Sequence, residues 1–223
     1  MASSNLVIAG NTYLAERAWT AGARRVEILP TVVDLDRYPE PVNSEPQSAG
    51  PIRIGWIGST LNESYLYEIS DALARVHRQI AIELVVIGGS ANFSIPGVPV
   101  RSVQWTQATE VADLADCDIG VMPLPDTPWS WGKCGFKLLQ YMGAGLPVVA
   151  SPIGANCDLV DQGVNGFLAG SPQEWEKSIL ALAMDGRLRT SMGIQGRRCL
   201  VSNYTIQAVA PKLEALLSSL INS

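Results

Sequence analysis

Two lysines four residues apart, Lys133 and Lys137, are the side chains whose type and spacing promise chemistry in this sequence. The chain has four lysines in all, so half of them fall in one short glycine-containing run, where the pattern predicts a helix starting near Lys133. A helix start offers free backbone N–H groups and the positive end of the peptide dipole, and glycine lets backbone approach a ligand closely. Ammonium groups one turn apart share a helix face. Lysine at that end opposes the dipole by about 0.3–1 kcal/mol, a cost that an incoming anion removes. The combination reads as a phosphate site, and two cations on one face suit a diphosphate.

Other candidates surround that pair. Gln140 lies one turn beyond Lys137, in the run Leu138-Leu139-Gln140-Tyr141-Met142. Its amide can both donate to and accept from vicinal hydroxyls such as a ribose offers, though on its own it reads as a helix-surface glutamine. Trp129 and Trp131 flank Ser130 in the preceding loop, where they suit a sugar-facing or interdomain surface and, equally, core packing. His77, the one histidine, sits near the end of an arginine-bearing helix with no acidic or cysteine neighbour, and reads as a helix C-terminal residue. Asp116 and Asp118 flank Cys117 as cap and turn residues. No serine occupies a GxSxG elbow, so the sequence yields a binding site and no catalytic base. The cysteines Cys117, Cys134, Cys157 and Cys199 are far apart and form no CxxC, which predicts neither a metal site nor a disulfide framework.

A scaffold must bring these residues together. Residues 6–9 form an apolar run, 12–21 have helical spacing, and 26–29 form a second strand candidate stopped by Pro30. Residues 36–51 turn to Pro, Ser, Asn, Glu and Gly, with prolines at 39, 41, 46 and 51. They read as a Pro-rich surface linker behind a β-α-β entry segment at 1–35. That segment is too short to bury a core alone, so 1–223 is expected as a single domain. Strands follow at 52–57, 82–87, 98–105, 117–122, 147–150 and 163–168. Helices are predicted at 62–78, with Leu66, Ile69, Leu73 and Val76 on its apolar face, and at 108–115, 172–185, 187–202 and 206–220. Such alternation specifies an α/β fold with a doubly wound, Rossmann-like parallel sheet. In these sheets ligands bind beyond the carboxyl ends of the strands. Three glycine-bearing loops meet that edge: Gly58-Ser59-Thr60, Gly88-Gly89-Ser90 and 132–135. None matches GxGxxG or GxxxxGK[ST], and each alone is an ordinary turn; their shared edge makes the site.

Composition narrows the partners. A formal charge of −5 and a pI near 4.9 leave no basic stripe for nucleic acid. The apolar runs fall far short of the roughly 20 residues that span a bilayer, so no transmembrane segment is expected. At 47% hydrophobic and 17% charged the chain has material for a sizeable core. The start MASSNLVIAGN lacks a basic n-region, and a reduced, cytoplasmic setting is the simple expectation.

The run GFKLLQYMGAGLPVVASPIGANCDLVDQGVNGFLAG, residues 135–170, resembles the donor-binding domain of GT-B glycosyltransferases, specifically the group 1, or family 4, retaining enzymes. LPTVVDLDRYP, IRIGWIGST, DGRLRTSMGIQGRRCL and Asn203-Tyr204-Thr205 resemble further segments of that family, so the likeness covers nearly the whole chain. It implies a C-terminal GT-B half that holds a nucleotide-diphosphate sugar, such as a UDP or GDP sugar, for transfer of a hexosyl group to an acceptor, without a metal or other cofactor. By that resemblance Gly58 and Ser59 face the diphosphate, the N–H groups of Lys133, Cys134, Gly135 and Phe136 hold phosphates together with Lys137, Gln140 meets the ribose, and Trp105 lies near the base.

The likeness also has departures. The family's paired glutamates, eight positions apart, are replaced by Gly132 and Gln140, and the usual Arg and Lys after the first glycine are absent, with Thr60 and Tyr65 nearby instead. Lys133 and Lys137 are the candidates to replace that charge from the opposite loop. The chain begins in the region that precedes the second GT-B half, so the N-terminal acceptor domain is expected to be absent and this domain alone inactive. Two further functions stay open: a nucleotide-sugar-binding module without transfer, and a GT-B-like nucleotide-sugar 2-epimerase, whose histidine and acid set is lacking.

Overall fold

The strand Ile52–Ile57 (β3) is apolar and buried from residue 54 to its end because both its faces are covered there, as parallel strands require, while Arg53 near its start pairs with Asp116 and Asp118. A computed structural model describes residues 1–40 and 50–221 of the chain. It places β3 near the centre of a six-stranded parallel sheet with Ile82–Ile87 (β4), Val100–Val103 (β5), Ile119–Met122 (β6), Val148–Ala150 (β7) and Gly166–Leu168 (β8). The order is β5-β4-β3-β6-β7-β8, so the chain winds outward from β3 to one edge and returns to wind outward from β6 to the other. Alternate residues feed two cores. Ile54, Trp56, Leu84 and Val86 face the helices Ser70–His77 (α2) and Pro172–Met184 (α7), and Ile57, Val85 and Ile87 face Glu110–Ala115 (α3), Phe136–Gly143 (α5) and Gly186–Asn203 (α8).

A second, two-stranded parallel sheet pairs Val7–Ala9 (β1) with Val26–Ile28 (β2) around the helix Thr12–Thr20 (α1), as expected for the entry segment. The C-terminal helix Ile206–Ile221 (α9) reaches it through Lys212 Nζ, which donates to the Ile28 carbonyl at 3.0 Å. Of the predicted linker, residues 41–49 lie outside the described residues, and Leu35–Arg37 form a 3-10 turn capped by Asp34.

The helix expected over 62–78 is divided: Glu63–Ile69 winds as a 3-10 helix before α2 begins. Leu66 and Ile69 are both fully buried at a spacing of three, which is the 3-10 period, and the Ser70 hydroxyl donates to the Tyr67 carbonyl at the junction. The strand expected over 98–105 is likewise only Val100–Val103, which leaves Trp105 in the loop beyond its end. Among the described residues no helix is long and apolar enough to cross a membrane.

Candidate functional site

β3 and β6 pair through Ile54–Ile119 and Gly55–Gly120, and then part. Where they part, the buried Tyr141 of α5 inserts its hydroxyl, accepting from Ile57 N–H and donating to the Val121 carbonyl, each at 3.1 Å. The phenol completes a ladder that the strands have left open, and its ring packs flat over Gly120. This is the point at which the winding direction reverses, the place where open α/β sheets leave a crevice for ligands.

The loop after β6 supplies the cations, with one correction to the expected helix. Pro128–Trp131 (α4) is a short helix capped by Thr127, whose Pro128 suits the first helical position, and α5 begins only at Phe136. Gly135 between them has φ +69°, and a side chain there would strike Leu159, so the backbone turns left-handed at a position only glycine fits. Lys133 therefore precedes the helix, and the two lysines do not share a helical face. They nevertheless converge. Lys137 Nζ stands 4.0 Å from the centroid of Trp56 and close to Gly58, and Lys133 Nζ stands 5.5 Å from Tyr65 and 5.7 Å from Trp129.

Neither ammonium meets a carboxylate among the described residues. Burial, and secondarily the charge of Lys133, push the Lys137 pKa down to about 7, and burial also lowers that of Lys133. The N–H groups of Cys134, Gly135, Phe136 and Lys137 also find no acceptor among the described residues, and Gly135 provides no side-chain cap. A run of free N–H groups around a left-handed glycine has the chemistry of an anion-binding concavity, and two ammonium groups without a carboxylate partner stand beside it, which makes the crevice a candidate anion site.

The neighbouring strand ends complete the rim. Gly58 and the exposed Ser59 follow β3. Gly88, with φ +82°, packs against the Gly58 carbonyl and the Trp105 side chain so closely that no Cβ fits. Glu63 accepts from Ser90 N–H and from its hydroxyl, both at 2.6 Å, which fixes the loop after β4. Trp105 is 46% exposed at the end of β5. Phe136 is also exposed, and Cys134 packs against Gly10 of the entry segment. That segment is tied to the loop by Asn11, whose amide donates to the carbonyls of Trp131 and Lys133 at 3.0 Å each. A cleft of about 210 Å³, lined among others by Asn11, Thr12, Cys134 and Asp158, opens between them.

Gln140 is buried, contrary to its reading as a surface residue. Its amide faces the Tyr38 hydroxyl, whose pKa burial and then Glu110 raise, with the Gln140 hydrogen bond opposing that shift in part. Trp129 is 73% exposed and Trp131 37%, both on α4 and not in an irregular loop. His77 ends α2 and accepts from Ile82 N–H through Nδ1 at 3.3 Å, a helix-terminal role as expected. Asp116 and Asp118 engage Arg53, and Asp116 also meets Arg101, away from the crevice. No group of three or more metal-ligating side chains occurs among the described residues. Sequence reasoning missed Trp56, Tyr38, Glu110 and Tyr141. Trp56 is hidden inside an apolar strand, and its position two residues before Gly58 is the only signal.

A family model described as group 1 glycosyl transferases matches residues 51–185. No curated protein sequence matches the chain. Among solved structures, HepE of Anabaena in complex with UDP and glucose is 19% identical with a TM-score of 0.75, over 97% of this chain and 63% of that one. Sucrose-phosphate synthase of Thermosynechococcus elongatus is 18% identical with a TM-score of 0.73, over 99% of this chain and 59% of that one. TarM of S. aureus, in a complex containing UDP, is 18% identical with a TM-score of 0.71, over 95% of this chain and 43% of that one. At these identities the likeness is one of fold, and this chain spans less than two thirds of each.

Proposed function

The chain belongs to the group 1 glycosyltransferases, and from that membership we propose that it is the donor half of a retaining glycosyltransferase, holding a nucleotide-diphosphate sugar for transfer to an acceptor. The observation that carries this reading is Lys137, a half-buried cation over Trp56 with no carboxylate partner among the described residues, next to four free N–H groups. As the bond from sugar to diphosphate breaks, negative charge grows on the leaving diphosphate. Lys137, Lys133 and the N–H groups of Cys134, Gly135, Phe136 and Lys137 are already oriented to receive it, so the electrostatic work needs no metal in this reading.

Gly58 and Ser59 line the diphosphate from the β3 side, Trp105 takes the base, and Gln140 takes the ribose by exchanging its buried contact with Tyr38 for a sugar hydroxyl. HepE supports testing UDP sugars first. The acceptor domain and the acceptor belong to a longer protein in this proposal. A second reading, a binding module without transfer, is favoured by one observation: Gly132, where the family resemblance places a carboxylate, presents no side chain to a sugar.

Calorimetric titration of the chain with UDP, GDP, ADP and their sugars tests the donor site. Micromolar to millimolar binding of one nucleotide diphosphate is expected, and absence of binding by all of them overturns the reading. For a binder, joining a GT-B acceptor domain and finding neither transfer nor donor hydrolysis favours the second reading.

A further inference from the structure

Glu110 is a carboxylate only 3% exposed, and both its oxygens are engaged. Oε1 accepts from the Tyr38 hydroxyl at 2.8 Å and from Arg37 Nη2 at 3.3 Å. Oε2 accepts from the Trp105 indole N–H at 2.8 Å. The first of these donors is itself held. Tyr38 is 2% exposed, its ring packs over Gly143, and its carbonyl accepts from Arg197 at 2.5 Å. Trp105 is the most exposed member of the set, ahead of the partly exposed Arg37, and it stands beside Gly88 at the strand ends.

A buried carboxylate is costly unless paired and fully hydrogen-bonded, and charge-assisted bonds are roughly twice as strong as neutral ones. Here the charge is satisfied from the linker side, and the remaining oxygen restrains the indole of the partly exposed Trp105. With its N–H occupied, Trp105 has only its ring to offer a ligand, which is stacking chemistry. It lies two strands from β3, about 10 Å at the usual strand spacing, a gap that a ribosyl unit bridges between a diphosphate at Lys137 and a base.

We propose that Glu110 is the positioning residue of the base subsite: held in place by Tyr38 and Arg37, it locks the Trp105 indole in the orientation on which the donor's nucleobase stacks. This inference rests on the donor-site reading. It adds a residue that touches no part of the ligand and sets affinity for the nucleoside alone, because ordering the platform in advance removes that cost from binding.

Two ligands separate the roles: UDP, which has a base, and inorganic pyrophosphate, which has none. Glu110→Ala is expected to weaken UDP about tenfold and leave pyrophosphate unchanged. Glu110→Gln keeps an acceptor for the indole and restores UDP binding to within about threefold. Glu110→Asp, which withdraws the carboxylate while keeping its charge, reproduces the loss even where the alanine variant fails to fold. In a Trp105→Ala background, Glu110→Asp adds nothing further. Equal losses for UDP and pyrophosphate, no loss for UDP in Glu110→Asp, or a full loss persisting in the Trp105→Ala background each overturn the proposal. If the wild-type chain binds neither ligand, the donor-site reading falls, and this inference with it.

Discussion

The Lys137 ammonium lies 4.0 Å from the centroid of the Trp56 ring, and the indole beneath it is completely buried. An aromatic face holds a cation without neutralising it, whereas a carboxylate at the same place would cancel the charge before any ligand arrived. The strand residue Trp56 thus aims the lysine at Gly58 and leaves its charge available.

Removing that charge is therefore expected to cost binding and to spare the fold. Lys137→Met should weaken the nucleotide diphosphate at least about tenfold, roughly 1.4 kcal/mol, in calorimetry, and Lys133→Ala should do likewise. Thermal unfolding of Lys137→Met should move upward, since a half-buried cation without a counter-ion opposes folding. Undiminished affinity in Lys137→Met would put the diphosphate elsewhere.

The strands 52–57 and 82–87 are legible in the sequence to the residue, because each is a β-branched-rich, mostly apolar run closed by glycine, interrupted only by Arg53 or Glu83 near its start. The anion site is legible in its members and not in its geometry. Helical spacing continues backward from Phe136 through Lys133, and nothing local announces that Gly135 turns left-handed to receive Leu159 beside it. Glu110 is illegible for a different reason. An acid in the first turn of a helix is an ordinary surface residue until Tyr38 and Arg37, brought from the other side of the linker, close over it. The buried Gln140 likewise faces that distant tyrosine.

The pH dependence of binding follows from Lys137. Its pKa of about 7 in the free chain must rise when a diphosphate arrives, so binding takes up a proton above pH 7. Affinity for UDP-glucose should be flat below about pH 6 and fall by up to about tenfold per pH unit above 7 until the bound-state pKa is passed. Lys137→Met should abolish the slope. Calorimetry at pH 8 in two buffers of different ionisation enthalpy measures the proton directly, and no uptake would contradict this account. For folding the depressed pKa acts in the other sense. Between pH 7 and about 10.4 the unfolded chain binds the extra proton, so this group's contribution to stability rises with pH across that window.

Tyr141 carries the crevice by bridging Ile57 and Val121 where β3 and β6 separate. Tyr141→Phe leaves a buried N–H and a buried carbonyl without their partner and is expected to destabilise by about 2 kcal/mol in urea unfolding with an unchanged m-value. The residual folded protein should bind the diphosphate more weakly, because α5 loses its anchor to the strand ends. A stability change below about 0.5 kcal/mol would mean that the strands close on each other without the phenol.

Gly135 and Gly132 make opposite predictions three residues apart. Gly135 holds φ +69° with Leu159 against it, so Gly135→Ala adds about 1–2 kcal/mol of backbone strain and a steric clash, and reorients the N–H groups of residues 134–137. Both stability and affinity for inorganic pyrophosphate should fall. Gly132 has φ −75° at the end of α4, and a Cβ there would meet nothing nearer than 3.5 Å. Gly132→Ala should therefore be neutral or slightly stabilising, because it restricts the unfolded chain without straining the folded one. Gly132→Glu should also fold, which makes it the variant that asks whether a carboxylate at this position adds sugar recognition. UDP-glucose gaining affinity over UDP in that variant alone would place the sugar beside α4. If the two ligands shift together, the sugar lies away from residue 132, and the exposed indole of Trp129 loses its claim on it.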